Sequence, residues 1–258
     1  MLQDVVNLTR YKLDDGAFVE SCRSTFDQQG FLALEKFLTP PAIERLRKSS
    51  MKGLASAYFC QQEHNVYLLP PDPRFPAAHV RNRKVVSTKG CICDDQVESN
   101  SPLRSLYEAA LFRGFVAAVT GEKSLYPYSD RLSSINVHYA KRGQELGWHF
   151  DNSSFAITLL IQESTDGGRF EFVRDLRNSG QDGWNFEGVG EVLEGKLKPE
   201  VIEIQPGTLL LFRGMNSIHR VSPNEGDAIR MMAVLAYNRE PGISLSENAR
   251  LTFYGRLD

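Results

Sequence analysis

From Arg131 onward the chain falls into short β-rich runs separated by turn signals, and this pattern constrains the fold more than any other feature. The runs are Ile135–Tyr139, Leu146–Phe150, Phe155–Gln162, Arg169–Val173, Val201–Ile204, Thr208–Phe212, Ser217–Val221 and Arg230–Tyr237. Between them stand Lys141-Arg142-Gly143, Asp166-Gly167-Gly168, Gln205-Pro206-Gly207 and the stretch Pro223–Asp227, all of which favour chain reversal. Short strands at this spacing predict a double-sheet jelly roll over 131–241. The pattern is interrupted by the long polar segment 175–199, within which Trp184–Leu193 has room for a short helix. An insertion of that length in a β domain is more often functional than idle. It is a candidate lid, with a passive surface excursion as the plainer alternative.

The first half of the chain is predicted to support this core with helices. Asp14 to Gln29 carries Phe18, Val19, Cys22 and Phe26 as a helical stripe closed by Gly30. Phe31–Leu34 is a short apolar run, expected to be a strand. Thr39-Pro40-Pro41 opens a second helix, expected to run to about Phe59. The prolines at 70, 71, 73 and 76 exclude a regular element and predict a loop. Lys84–Thr88 is expected to be a strand, and Ser101-Pro102 starts a helix ending at Gly121. The expectation is a single domain over 1–258, mainly β with α additions (α+β). It comprises a helical support region at 1–130, a double-stranded β-helix core at 131–241 and a C-terminal extension at 242–258.

Bulk properties narrow the function classes. The 258 residues suit one large domain, and 41% hydrophobic with 24% charged residues is ordinary for a globular protein. A net charge of −2 and the lack of a basic–aromatic run argue against nucleic acid and anionic membrane as partners. The longest apolar stretches are too short to span a bilayer, and Met1–Arg10 has no apolar signal core. The four cysteines have no disulfide-framework spacing. Cys91 and Cys93 lack a second Cys or His pair at zinc-like spacing, so a reducing cytoplasm is the simplest compartment.

The chemistry is expected among the five histidines. His149-Phe150-Asp151 ends one predicted strand, and period-two alternation puts His149 and Asp151 on one side of the chain. His219, on a later strand, supplies a third donor. Two imidazoles and one carboxylate on one face of an octahedron leave three positions open, the arrangement expected for non-haem Fe(II) that binds a chelating co-substrate and O2. A lone H-x-D is more often a half-buried histidine beside a surface carboxylate, so the distal context matters. Arg230 follows the Ser222-Pro-Asn-Glu-Gly226 turn, where a hairpin returns the chain beside His219. An arginine there can take a carboxylate in a two-pronged hydrogen bond; the alternative is a surface ion pair with Glu225 or Asp227.

His149-x-Asp151, His219 and Arg230 on a predicted jelly roll resemble the Fe(II)/2-oxoglutarate-dependent oxygenases over roughly Arg131 to Pro241. Trp148-His-Phe-Asp-Asn-Ser-Ser-Phe155, Gly167-Gly168-Arg-Phe-Glu-Phe172, Pro206-Gly-Thr-Leu209 and Ser217-Ile-His-Arg-Val221 are similar to the branch of free-amino-acid halogenases and hydroxylases typified by the lysine chlorinase. The resemblance implies that 2-oxoglutarate chelates the iron, that Arg230 pairs with its far carboxylate, and that O2 takes the remaining position. Halogenases of the branch carry a small residue in place of the carboxylate ligand. Asp151 fills that position here, so the resemblance implies hydroxylation of an unactivated C–H in a small carboxylate-bearing substrate, a free amino acid or a derivative. Desaturation, cyclisation or epimerisation by the same oxidising chemistry is the alternative, and a cupin-like binding or sensor protein is a second.

Other positions are weaker candidates. Asn136 on the first core strand would touch 2-oxoglutarate if the polar set Ser134, Asn136 and His138 faces inward; alternation alone leaves the orientation open. The amino-acid enzymes place an arginine pair before the barrel, which implies that Arg81 and Arg83 bind the substrate; solvated surface arginines are the alternative. Asn152, next to the metal aspartate, is a plausible polar contact with substrate. Trp148 is expected to pack, and His64 and His79 to be structural or surface residues.

Overall fold

The alternation in the second half becomes a curled antiparallel sheet whose two faces have different jobs. The computed structural model describes residues 1–180 and 183–258. Its strands are β1 (Phe31–Leu34), β2 (Tyr58–Asn65), β3 (Lys84–Ile92), β4 (Ile135–Ala140), β5 (Leu146–His149), β6 (Ala156–Gln162), β7 (Phe170–Val173), β8 (Glu200–Ile202), β9 (Leu209–Phe212), β10 (Ile218–Val221) and β11 (Arg230–Leu235). The order is β1-β9-β6-β11-β4-β3-β5-β10-β7-β8, with β2 on the outer side of β3. The seam between the larger layer and the β5-β10-β7-β8 layer is a short β3–β5 pairing at Ser87 and Leu146. This is the double-stranded β-helix that the turn spacing predicts.

On the outer face of the larger layer, Ile135, Val137 and Tyr139 of β4 stand opposite Leu235, Ala233 and Met231 of β11. These residues join one apolar core with Phe26 of helix α1 (Gly16–Gln29), Leu46 of α2 (Pro40–Gly53), Leu103 and Leu106 of α3 (Pro102–Tyr107), and Phe112 and Phe115 of α4 (Ala110–Thr120). The Tyr139 hydroxyl donates to the Ser50 carbonyl at 2.8 Å, tying sheet to α2. The helices start where their caps demand: Asp15 and Thr39 accept from the backbone N–H of Phe18 and Ala42. The opposite face carries Asn136, His138 and Ala140 opposite Val234, Met232 and Arg230.

The first half departs from expectation in three places. The second helix ends at Gly53 rather than near Phe59; a 3-10 turn follows, and Tyr58–Asn65 becomes β2. That strand pairs with β3 along its whole length, a tertiary gain that local sequence cannot reveal. The strand expected over Lys84–Thr88 accordingly extends to Ile92. The helix from Ser101 to Gly121 divides at Glu108-Ala109 into α3 and α4. Helix α5 (Phe186–Leu193) forms inside the 175–199 segment, and α6 (Glu247–Tyr254) lies near the C-terminus. No helix among the described residues is long and apolar enough to cross a membrane.

Candidate metal centre

β5 and β10 run antiparallel with His149 directly opposite His219. Asp151 follows two residues after His149, and its backbone N–H donates to the Gly214 carbonyl at 3.0 Å. Asp151 Oδ1 thereby comes to 3.7 Å from His149 Nε2 and 3.6 Å from His219 Nε2. Ligand atoms of all three residues lie within 4.8 Å of one another, the one such group of His, Cys, Asp or Glu among the described residues. Phe150, between them, points the other way into a second apolar cluster with Val66, Tyr67 and Trp148.

The imidazoles are oriented from behind. His149 Nδ1 lies 2.8 Å from the Gly147 carbonyl and His219 Nδ1 lies 3.0 Å from the Ser217 carbonyl. A carbonyl can only accept, so each Nδ1 carries the hydrogen, and each Nε2 is turned toward Asp151. The first of these supports is itself held. Gly147 N–H donates to Ser87 Oγ at 3.0 Å, and Ser87 Oγ lies 2.7 Å from His64 Nε2. His64 Nδ1 faces the Asn65 carbonyl at 3.0 Å, so it carries the hydrogen and the Ser87 hydroxyl donates to Nε2. The His64 ring lies edge-on to His149 at 6.3 Å between centroids. His64, expected to be merely structural, thus stands directly behind a metal-ligand candidate.

The electrostatics suit a cation. Burial, then the neighbouring His219, push the His149 imidazole down to about 3, so it is neutral at physiological pH. Burial opposes ionisation of Asp151, but His219, His149 and Arg177 together hold its carboxyl below the ordinary range. Asp151 Oδ2 is buried with no hydrogen-bond partner among the described residues. The two imidazoles and an ionised carboxylate with an orphaned oxygen fit a divalent metal of the Fe(II) class. Phe170 and Phe212 wall the site, 5.5 Å and 4.8 Å from the His219 ring.

Arg230 starts β11 on the inner face, opposite Ala140. It is 8% exposed, and burial lowers its guanidinium to about 10, which leaves it cationic at neutral pH. The surface ion pair open to it in sequence does not form: Asp227 pairs with Arg142 at 2.9 Å, and no carboxylate among the described residues is within ion-pair distance of Arg230. His138 shares its face. Lys89 Nζ donates to His138 Nε2 at 3.3 Å, and burial, Lys89 and Arg230 all keep that imidazole neutral.

The remaining expected residues separate. Asn136 faces inward, but both its amide hydrogens are engaged by the Leu132 and Ile135 carbonyls and its oxygen accepts from Tyr254. It therefore offers no free donor to a co-substrate. Arg81 is 7% exposed, with Nη2 on the Pro70 carbonyl and Nη1 buried without a partner. Arg83 turns away from it and reaches the Leu193 carbonyl at 3.4 Å, at the end of α5. Asn152 is exposed. Trp148 packs under Arg220, as expected of a packing residue. Arg177 was not anticipated: its guanidinium lies 4.1 Å from the Phe150 ring centroid and acts on Asp151. The one hint in sequence was its place in the insertion.

The family model described as Halogenase D matches residues 14–249. Among solved structures, the chain is similar to a 2OG-Fe(II) oxygenase family oxidoreductase from Burkholderia pseudomallei (13% identity, 90% of this chain and 94% of that one, TM-score 0.55). It is also similar to the non-heme alpha ketoglutarate dependent epimerase SnoN of nogalamycin biosynthesis (12%, 86% and 81%, 0.60) and a Pseudomonas putida prolyl-4-hydroxylase (13%, 86% and 99%, 0.53). At these identities the likeness is one of fold. No curated protein matches the sequence. With the match running across nearly the whole length, the chain belongs to the Halogenase D family.

Proposed function

We propose that this chain is an Fe(II)/2-oxoglutarate-dependent oxygenase that hydroxylates a small carboxylate-bearing substrate, a free amino acid or a derivative. The carrying observation is the position of Asp151, with Oδ1 facing both Nε2 atoms and Oδ2 buried and unpartnered. His149, Asp151 and His219 would hold the metal. When bound, iron with 2-oxoglutarate and O2 supplies the oxidising power to break an unactivated C–H bond. The protein's own part is to position and shield. Arg230, a buried cation with no carboxylate at ion-pair distance among the described residues, suits the far carboxylate of 2-oxoglutarate, and the orphaned Nη1 of Arg81 suits a carboxylate of the substrate. The phenylalanines at 170 and 212 keep water from the His219 side.

Asp151 also supports hydroxylation over halogenation within a family named for halogenases. A halide ligand needs the place that this carboxylate occupies, and Gly214 packs against Oδ2 as though built for it. The test is succinate formation from 2-oxoglutarate by the Fe(II)-loaded protein, alone and with a panel of free amino acids in the presence of chloride. Stimulation by one substrate with a product gaining a single oxygen supports the reading. A chlorinated product would overturn the hydroxylase assignment, and no iron-dependent consumption of 2-oxoglutarate would overturn the oxygenase reading itself.

A further inference from the structure

Arg81 and Arg177 lie far apart in sequence and meet at one ring. Their Cζ atoms are 5.8 Å and 5.7 Å from the centroid of Tyr67. Arg81 is also 5.6 Å from the Trp184 ring, and Trp184 stands edge-on to Tyr67 at 5.2 Å while its carbonyl accepts from the Tyr67 hydroxyl. Each arginine is anchored by one backbone carbonyl: Pro70 holds Arg81 at 3.1 Å and Met215 holds Arg177 at 2.7 Å. The backbone of Arg177 is tied as well, donating to the Asn216 carbonyl at 3.1 Å. Among the described residues no other hydrogen-bond acceptor takes up either guanidinium, and both lie against aromatic rings.

No carboxylate among the described residues lies within ion-pair distance of either guanidinium. Two cations brought together around one ring repel each other, and Arg81 is buried with no carboxylate at ion-pair distance among the described residues, which is costly. Such an arrangement is stabilised by an anion from outside. Planar, fork-shaped donors match a carboxylate. Arg177 also lies on the ring of Phe150, the residue between His149 and Asp151, so an anion held there leaves the rest of its molecule close to the metal ligands.

We infer that Arg177, carried by the 175–199 segment, is a specificity-determining residue that joins Arg81 in binding one carboxylate of the substrate. The insertion is therefore part of the substrate site, and Met215 and Asn216, which hold Arg177, belong to the same loop as Gly214 beside Asp151. This rests on the oxygenase reading for the reaction that follows binding, while the binding itself stands on the two arginines.

The test is calorimetric titration of the Fe(II)- and 2-oxoglutarate-loaded protein without oxygen, using free L-amino acids and their carboxamides as paired probes. The expected result is an amino acid that binds at least tenfold more tightly than its carboxamide. Arg177→Gln should weaken it at least tenfold and shrink the preference for acid over amide. Arg177→Lys, which keeps the charge and a donor for Met215, should recover part of both. Should Arg177→Gln fail to fold, the Lys variant decides alone: weakened binding with a reduced preference for acid over amide supports the inference, and full wild-type affinity and preference overturn it. Wild-type binding by Arg177→Gln, with binding lost in Arg81→Gln, would overturn the role of Arg177 and leave the oxygenase reading intact. No preference for acid over amide in the wild type would overturn the carboxylate substrate class and this inference together, without touching iron-dependent consumption of 2-oxoglutarate.

Discussion

Gly214 faces Asp151 so closely that a Cβ at position 214 would lie 1.9 Å from Asp151 Oδ2 and 2.7 Å from His219 Cε1. The same glycine's carbonyl accepts the Asp151 N–H. Backbone therefore presses the carboxylate into place, and only a residue without a side chain leaves it room. Gly214→Ala is expected to cost about 1–3 kcal/mol of stability as overpacking and to weaken metal binding roughly tenfold or more. Thermal denaturation and Co(II) titration check both; an alanine variant with unchanged metal affinity would show that Asp151 is not held by this contact.

Arg230 separates stability from function. It is buried with no carboxylate at ion-pair distance among the described residues, so its charge is unfavourable in the protein alone. Arg230→Met should leave the metal-free protein at least as stable as wild type. It should also raise the 2-oxoglutarate requirement by about 10- to 100-fold, the worth of about 1.5–3 kcal/mol for hydrogen bonds to a charged group. Iron binding should persist. A lowered melting temperature together with an unchanged KM for 2-oxoglutarate would assign Arg230 a structural role.

The support behind His149 runs through Ser87. Ser87→Ala removes the acceptor for the Gly147 N–H and the donor to His64, while leaving every metal-ligand candidate in place. Second-layer partners of this kind typically contribute 10- to 100-fold in metal affinity or activity. A tenfold loss of Co(II) affinity is expected, and His64→Leu should show a smaller loss because Ser87 keeps its bond to Gly147. Equal affinity in both variants and the wild type would mean that the Gly147 carbonyl is held adequately by the strand alone.

Acid should unfold the metal-free protein readily. His149 is held at about 3, far below the ordinary imidazole value of about 6.5. Between those values the unfolded chain binds a proton that the folded chain refuses, so stability falls as pH drops from about 6.5 toward 3. His138, lowered by burial, acts in the same direction. Asp151, whose folded carboxyl lies below its unfolded value, adds stability that is lost on acidification through its folded value. Urea midpoints measured from pH 7 to 4 should decline, and His149→Gln should flatten the decline. An unchanged slope in that variant would place His149 in contact with solvent rather than in a desolvated site.

What the sequence made legible was what period-two alternation governs. His149 and Asp151 share a face because one residue separates them. The hairpin expected to return Arg230 beside His219 does not form, because β10 pairs with β5 and β7 while β11 pairs with β4 and β6. The rest depended on distant partners. Tyr58–Asn65 contains Gln61-Gln62-Glu63 and becomes a strand only through its pairing with β3. Alternation put Asn136 on one face with Ser134 and His138 but gave neither the direction of that face nor the engagement of its amide, since Tyr254 reaches it from the other end of the chain. Arg177 lies on a segment with no periodicity, where Met215 and Asn216 decide its direction. His64 carries no sequence partner at all and gains its place from the β2–β3 pairing that puts it opposite Val85.

The central claim is that His149, Asp151 and His219 hold the ferrous ion to which 2-oxoglutarate binds. Anaerobic titration of the Fe(II)-loaded protein with 2-oxoglutarate tests it most directly, through the visible charge-transfer absorption of the chelated co-substrate. The band should appear in the wild type at one equivalent of iron and be lost in His149→Ala and His219→Ala, with Arg230→Met needing more 2-oxoglutarate to reach it. A wild type that shows no such band, or histidine variants that show it at full intensity, would contradict the account.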